Sequence, residues 1–202
     1  MFGFAGPLIR QIFMASIIWR LAQDFNSSCF RMLEVGSWCG ASMLTWANSM
    51  SEYDFINGQI TCVDAWEPYI DTKINHSEKY RHIETALREG YPLRVFNHNV
   101  QFAPDGIIVN AIRGHSAEVL SSLSMNKYNC VYIDGDHSYE TVRADIIKSM
   151  PLVIDGGILC GDDLEIQEDE CSTAVINNYP EIDFYYDTTL DKHFHPGVTR
   201  AV

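Results

Sequence analysis

Three aspartates stand directly after two apolar runs of the sequence. Asp134 follows Tyr-Asn-Cys-Val-Tyr-Ile, and Asp162 and Asp163 follow Gly-Ile-Leu-Cys-Gly. Three carboxylates that converge are costly unless a cation or protons relieve their repulsion. All three offer oxygen ligands, which suit Mg²⁺ or Ca²⁺ better than Zn²⁺. The pattern is typical of a divalent cation site; the alternative is a structural role in which Asp163 turns away to cap or solvate the next loop.

A glycine-rich turn, Gly-Ser-Trp-Cys-Gly at residues 36–40, stands between an apolar run and a helical pattern. Glycines let the backbone turn tightly and approach a ligand, and the next helix N-terminus supplies free N–H groups. The GxxxG spacing differs from the GxGxxG of dinucleotide sites, which argues against a pyrophosphate ligand. Asp64 ends the next apolar run, where its carboxylate could accept both hydroxyls of a ribose. The alternative is a sheet-edge turn with a solvated aspartate.

Short apolar runs alternate with helical patterns from residue 30 onward, which is typical of strand-helix-strand units. The predicted strands are residues 31–35, 59–63, 107–112, 128–133 and 157–161. The predicted helices are residues 41–50, 117–123 and 139–150, with Ser116 as the N-cap of the second. The acidic and glycine-rich signals fall at the carboxyl ends of strands, where open parallel sheets bind ligands. We expect an α/β fold: a Rossmann-like, doubly wound, mostly parallel sheet with helices on both faces.

Three further segments surround this pattern within one expected domain, residues 1–202. The apolar N-terminal segment, residues 1–29, has no basic start and is interrupted by Pro7, Arg10 and Arg20, so we expect a helix over residues 7–25 and not a signal peptide or membrane span. Residues 66–91 lengthen one connection beyond the usual few residues, as a lid or substrate loop or as a packed helical insertion. Residues 164–194 begin with an acidic run that predicts a solvated loop.

The end of the sequence predicts an incomplete sheet. Strand patterns after Gly161 are limited to residues 182–186, so we expect at most one strand beyond five and an exposed edge at the fifth. Residues 195–202 resemble the first turns of a helix with Pro196 near its start. The sequence therefore predicts a chain that stops before its fold is complete, and it assigns no role to His193 or His195.

Composition narrows the class of protein. At 202 residues with 47% hydrophobic residues, one core needs no disulfide or metal. The net charge of −13 disfavours binding to nucleic acid and to anionic membranes. The six cysteines have no CxxC spacing, and several lie in apolar runs. Buried free thiols in a reducing compartment explain them best, so we expect a cytoplasmic protein.

Four segments, in order, resemble the motifs of class I S-adenosylmethionine-dependent methyltransferases: residues 33–42, 113–118, 132–140 and 156–163. The branch with the Ile-Asp-Gly-Asp-His-Ser-Tyr signature is the most similar. The resemblance covers residues 30–163 but not 66–91 or 164–194. It implies S-adenosylmethionine as cofactor and O-methylation of a small hydroxylated acceptor.

The resemblance also implies a cofactor site built from three turns: Glu34, Gly36, Ser37, Gly40, Asp64, Ala65, Trp66, His115 and Ser116. The glycine-rich turn would hold the methionine part, with the glutamate ordering that loop. Asp64 would bind the ribose, and Ala65 and Trp66 would flank the adenosine. The adenine would contact His115 and Ser116. Each residue could instead be structural, and Ser116 is equally well explained as a helix cap.

Metal-dependent O-methyltransferases place an acid after the fourth strand and a pair after the fifth, and the sequence matches that arrangement. The resemblance thus implies Mg²⁺ or another divalent cation on Asp134, Asp162 and Asp163, where it would lower the pKa of a substrate hydroxyl. His137 lies in the turn after the fourth strand. As a neutral imidazole it could act as general base beside Asp134, or it could simply hold the neighbouring loop.

Two other functions stay open. A nucleotide-dependent oxidoreductase could use a similar sheet, although the GxxxG spacing counts against it. A non-catalytic module could retain the S-adenosylmethionine pocket. The partners expected from the sequence are a small-molecule acceptor and, through the edge at the fifth strand, a second copy of the chain.

Overall fold

The computed structural model describes residues 7–25, 30–55, 57–71, 73–125 and 127–202. Its main strands are β1 Arg31–Val35, β2 Gln59–Asp64, β3 Ile108–Arg113, β4 Tyr128–Ile133 and β5 Val153–Gly161. They form one sheet in the order β3-β2-β1-β4-β5, and every neighbouring pair is parallel. The order changes direction at β1, so the turns after β1 and β4 flank the switch point. The five predicted parallel strands and the Rossmann-like fold are confirmed.

Helices cover both faces of this sheet: α1 Leu8–Ala22, α2 Ala41–Glu52, α3 Glu78–Arg88, α4 Tyr91–Val100, α5 Ser116–Ser122, α6 Tyr139–Ser149, α7 Thr173–Asn178 and α8 Pro196–Ala201. Successive residues of a strand point to opposite faces. Accordingly, Met32 of β1 packs in one buried cluster with Trp46 of α2, whereas the next residue, Leu33, packs in another with Leu120 of α5. The two cores explain why the strands read as continuous apolar runs.

Helix α1 lies against α2 through one face, formed by Met14, Ile17, Ile18 and Leu21. The expected helix over residues 7–25 is confirmed, with an end at Ala22, and the flanking residues 1–6 and 26–29 lie outside the described part of the chain. Within the described ranges, no helix combines the length and apolarity needed to cross a bilayer.

The region after β5 differs from the prediction. It holds a short antiparallel hairpin, β6 Tyr185–Asp187 and β7 Lys192–Phe194, which forms a separate two-stranded sheet. The limit of one further strand was wrong, because β7 is too short to show a strand pattern. Among the residues that the structure describes, neither strand joins the main sheet, so β5 remains an edge. The helix expected near Pro196 is confirmed as α8.

Two local predictions concern helix starts and thiols. Ser116 is the first residue of α5 and not its N-cap; His115 occupies that position, and no side chain caps the helix there. The insertion of residues 66–91 contains α3, whose first turn is capped by the Ser77 hydroxyl.

The cysteines within the described ranges are free thiols, as expected, whereas Cys29 lies outside those ranges.

Candidate active site

A cavity of about 800 Å³ opens at the carboxyl ends of the parallel strands. Its wall is formed by the turns after β1, β2, β3 and β4, together with one face of α1 and residues of the insertion. The volume lies within the range of 300–1,000 Å³ that is common for small-molecule sites. The sequence signals at the four strand ends therefore meet around one cavity.

The turn after β1 passes very close to the end of β4. Gly36 has φ +85°, and a Cβ placed on it would lie 1.9 Å from the carbonyl oxygen of Asp134. Only glycine accommodates both the conformation and the approach. The side chain of Glu34 is fully buried beneath the turn and accepts a hydrogen bond of 2.6 Å from the Ser37 hydroxyl. Burial raises the pKa of Glu34, and this contact partly offsets that effect.

Asp64 closes the same end of the cavity at the tip of β2. Its Oδ2 accepts from the backbone N–H of Trp38 at 2.8 Å, and its Oδ1 accepts from that of Trp66 at 2.6 Å. Burial raises the pKa of Asp64, and these N–H donors counteract the rise. Each carboxylate oxygen has a second lone pair, so Asp64 retains capacity for two hydroxyl donors.

The side chain of Trp66, which the sequence placed beside adenosine, lies in the core. Its side chain is only 2% exposed and lies 4.9 Å, centroid to centroid, from the ring of Phe96 in the core. The indole N–H donates to the carbonyl oxygen of Trp38 at 2.7 Å. The ring packs in the core and is not part of the cavity wall, so the geometry gives no support to the prediction that it flanks adenosine. Trp38 and Ala65 line the cavity instead, and Trp66 supports the turn from behind.

The turn after β3 brings His115 and Ser116 to the cavity, as expected, beside Glu67. The imidazole Nε2 of His115 lies 4.0 Å from a carboxylate oxygen of Glu67. Nearby, burial raises the pKa of Asp145 of α6 to about 6, and Ser116 opposes that rise. Gly40 does not line the cavity; it forms the left-handed start of α2 next to Phe96.

The three carboxylates predicted to converge do so. One oxygen from each of Asp134, Asp162 and Asp163 lies within 4.8 Å of the others. A side chain from a distant part of the chain lies among them: the Arg10 guanidinium of α1 pairs with Asp134 and, through Nε at 2.7 Å, with Asp162. Arg10 Nε also lies 3.1 Å from the Tyr132 hydroxyl oxygen. Burial raises the pKa of Asp134 well above its ordinary range, and Arg10 opposes that rise only in part.

His137 lies between two carboxylates. Its Nδ1 is 2.6 Å from Asp183 Oδ1, and its Nε2 is 3.0 Å from Asp163 Oδ2. Burial alone would lower the pKa of His137, but these contacts outweigh burial and raise it to about 10. The same contacts lower the pKa of Asp163 and bring that of Asp183 to about 2. These contacts favour the alternative in which His137 holds the neighbouring loop, and a general base at His137 stays a prediction.

The sequence analysis missed several residues of this site. Asp183, which comes just before β6, also accepts from the Tyr80 hydroxyl of α3. His195 lies 4.4 Å, ring to ring, from His137, and its Nδ1 is 2.9 Å from Glu165. For Arg10 a signal did exist. It lies four residues before Met14, so it continues the face of α1 that packs on α2.

A family described as a methyltransferase domain matches residues 33–164 of this chain, which run from within β1 to just beyond β5 and include every turn that bounds the cavity. The chain belongs to this methyltransferase domain family. A comparison with curated protein sequences finds no match.

Solved structures show the same fold for this methyltransferase domain. The O-methyltransferase NovP is 17% identical over 76% of this chain and 64% of its own, with a TM-score of 0.57. A Corynebacterium glutamicum protein is 15% identical over 98% of this chain and 70% of its own, with a TM-score of 0.53. Cofactor-bound Rv0187 from MTB is 16% identical over 81% and 59%, with a TM-score of 0.48. The chain thus spans less than two thirds of the length of NovP and Rv0187.

The charged pairs of His137 predict a pH-dependent stability for the methyltransferase domain. The pKa of His137 is about 10 in the folded chain and about 6.5 in the unfolded chain. The stabilisation is therefore complete below pH 6.5 and is lost as the pH rises through 10. We expect His137→Asn to lower the free energy of unfolding by about 3 kcal/mol at pH 6, because two part-buried carboxylates lose their partner.

Urea unfolding of the wild-type chain and of His137→Asn between pH 6 and 10 measures this. The difference between them should shrink as the pH rises. The control is His82→Asn, which changes an exposed histidine of α3. A difference that stayed constant up to pH 10, or that equalled the control's, would show that His137 is not held as an imidazolium.

Proposed function

We propose that this chain transfers a methyl group from S-adenosylmethionine to an oxygen atom of a small hydroxylated acceptor. The observation that carries the proposal is the single cavity that joins the glycine-rich turn and Asp64 to the carboxylate of Asp134. Membership of the methyltransferase domain family supports the reaction class. NovP, which is named as an O-methyltransferase, supports the choice of oxygen through its shared fold.

The residues at one end of the cavity fit the cofactor. Gly36 and Ser37 present backbone where the methionine part would lie, and Glu34 holds that turn through Ser37. Asp64 offers two acceptor oxygens for the ribose hydroxyls, and His115 and Ser116 form the wall for the adenine. The cofactor supplies an electrophilic methyl group on a sulfonium.

The other end of the cavity suits the acceptor. Residues of the insertion, Tyr69, Lys79 and Ile83, form its outer wall, so residues 66–91 act as the substrate-binding loop and lid. Asp134 lines the same cavity, where a carboxylate can accept the proton of a hydroxyl group. We assign it as the general base for the acceptor hydroxyl. His137 instead positions Asp163 through their ion pair.

Alignment of the reacting atoms supplies most of the rate enhancement in this mechanism. The chain forms no covalent bond to the methyl group; it holds the acceptor oxygen in line with the methyl carbon and the sulfur. Such positioning is worth about 7–11 kcal/mol.

The setting of the reaction follows from charge and thiols. The net charge of −13 favours neutral or cationic acceptors over nucleic acid. Free thiols at Cys39, Cys62 and Cys130 suit the reducing cytoplasm. The edge strand β5 offers a surface for pairing with a second copy of the chain.

Replacing Asp64 by alanine should weaken binding of S-adenosylhomocysteine by about 1.5–3 kcal/mol, the range for hydrogen bonds to a charged group. The ribose hydroxyls lose their acceptor, and the N–H groups of Trp38 and Trp66 lose theirs. Isothermal titration calorimetry with the full chain measures the change.

The matched control is Asp105→Ala, which removes an exposed aspartate from the loop before β3. Its affinity should equal that of the wild-type chain. Thermal unfolding of both variants separates a binding defect from a folding defect. An unchanged affinity in a folded Asp64→Ala variant would show that the ribose lies elsewhere.

A further inference from the structure

The acid cluster consists of Asp134, Asp162 and Asp163 at the ends of β4 and β5. It already contains a cation from the chain itself, the guanidinium group of Arg10. Arg10 contacts Asp134 and Asp162 at once, and its side chain is 22% exposed. The third carboxylate, Asp163, is turned toward His137, with a backbone φ of +65°. A divalent cation would need oxygens from the same three groups at about 2.0–2.6 Å.

The position of Arg10 is fixed by the packing of α1. Met14, Ile17 and Leu21 follow it at spacings of four, seven and eleven residues, and all three are buried against the domain. Residues at these spacings share one face of a helix. Arg10 is therefore carried one turn beyond the buried face of α1, directly over the carboxyl ends of β4 and β5. The guanidinium is held there by tertiary packing and not only by its ion pairs.

We propose that Arg10 occupies the cation position of the acid cluster, so that the cluster takes no divalent cation while Arg10 is in place. The donor set alone would suit Mg²⁺, but two of its three members are engaged by the guanidinium. A metal ion would have to displace that group and then lie beside its positive charge. Arg10 thus relieves the repulsion between Asp134 and Asp162, and it also lines the cavity.

The inference rests on the proposed function, because it concerns how the methyl-transfer site is charged. The role of Arg10 in the acid cluster can nevertheless be tested separately from methyl transfer. Arginine keeps its charge at every physiological pH and presents a planar set of donors. The cluster therefore stays compensated without any dependence on the concentration of free metal ions.

Titration of the full chain with Mn²⁺, followed by calorimetry and by the electron paramagnetic resonance of free Mn²⁺, tests the proposal. We compare the wild-type chain with Arg10→Ala and with Arg10→Met, which keeps an apolar stem on the packed face of α1. The control is Arg20→Ala, which removes an exposed arginine of the same helix that pairs with Asp24. A double variant, Arg10→Ala with Asp162→Asn, removes one of the carboxylates that the loss of Arg10 leaves without its guanidinium partner.

The wild-type chain and the control should show no saturable binding up to about 1 mM Mn²⁺, the weak end of carboxylate cation sites. Arg10→Ala or Arg10→Met should bind one Mn²⁺ at least about tenfold more tightly. The double variant should lose that gain. Saturable binding by the wild-type chain, weakened by Asp162→Asn, would overturn the proposal, and so would the absence of any gain in folded Arg10 variants.

Binding of S-adenosylhomocysteine to the same samples keeps the two proposals apart. If the wild-type chain binds the cofactor and also binds Mn²⁺ at Asp162, then only the assignment of Arg10 fails. If it binds neither and the Arg10 variants gain Mn²⁺, the assignment of Arg10 stands and the proposed function fails.

Discussion

Asp134→Asn should lower the rate of methyl transfer by about 10²–10⁴-fold, the usual contribution of a general base. Asparagine keeps the shape of the side chain but cannot accept the proton of the acceptor hydroxyl. The ribose position is assigned to Asp64, which lies on another strand, so affinity for S-adenosylhomocysteine should stay within a few-fold of the wild-type value. Transfer of a radiolabelled methyl group to a panel of phenols and sugars measures the rate.

The control for this variant is Asp155→Asn, which changes an exposed residue of β5. It should retain the wild-type rate. A full rate in Asp134→Asn, with the cofactor bound normally, would remove Asp134 from the chemistry. A loss of both rate and cofactor affinity would instead point to collapse of the close contact between Asp134 at the end of β4 and Gly36 in the turn after β1.

Gly36→Ala should destabilise the fold by about 3 kcal/mol or more, a large part of the 5–15 kcal/mol that a domain of this kind has available. The added Cβ would lie 1.9 Å from the carbonyl oxygen of Asp134, which is backbone and cannot rotate away. Either the turn after β1 or the end of β4 must move. Both bound the cavity, so the remaining folded protein should bind S-adenosylhomocysteine poorly.

Gly90→Ala is a matched control, because Gly90 also has a positive φ, +67°, but its added Cβ would have no neighbour nearer than 3.6 Å. It should cost only about 1–2 kcal/mol for the left-handed conformation. Urea unfolding of the two variants separates the clash from the backbone strain. Equal losses in both would show that the close approach at Gly36 carries no cost of its own.

The sheet could be predicted from the sequence because each strand carries its own signal. The run at residues 128–133 is apolar on both faces, is fully buried in the structure, and ends at Asp134. Parallel strands place such ends at one edge, so the convergence of Asp134, Asp162 and Asp163 also followed. The strand pattern at residues 182–186 overlaps β6, but β7 could not be predicted, because it is three residues long and two of them are exposed.

The charge state of the site could not be predicted, because it depends on partners that are far apart in the sequence. Arg10 precedes Asp134 by 124 residues, and Asp183 follows His137 by 46. Within its own segment of the sequence, Arg10 only interrupts an apolar run. In the same way, His137 is a histidine for which the ordinary pKa of about 6.5 would be expected. Packing of α1 and of the segment before β6 gives Arg10 its two carboxylates and gives His137 a carboxylate contact that raises its pKa.

Trp66 shows the same limit within a motif. Its position directly after Asp64 suggests a place beside the cofactor. A left-handed backbone, φ +48°, turns its ring toward Phe96 in the core, and Trp38 takes the position on the cavity wall. The identity of the residues at a motif thus predicted where a cavity would lie, but not which of two tryptophans would line it.

Calorimetric titration of the wild-type chain with S-adenosylhomocysteine, and in parallel with NAD⁺, tests the central claim most directly. The cavity beside Gly36 and Asp64 predicts saturable binding of one S-adenosylhomocysteine per chain, and no saturable binding of NAD⁺, because the turn has GxxxG spacing. Saturable binding of NAD⁺, or no heat of binding with S-adenosylhomocysteine, would contradict the account.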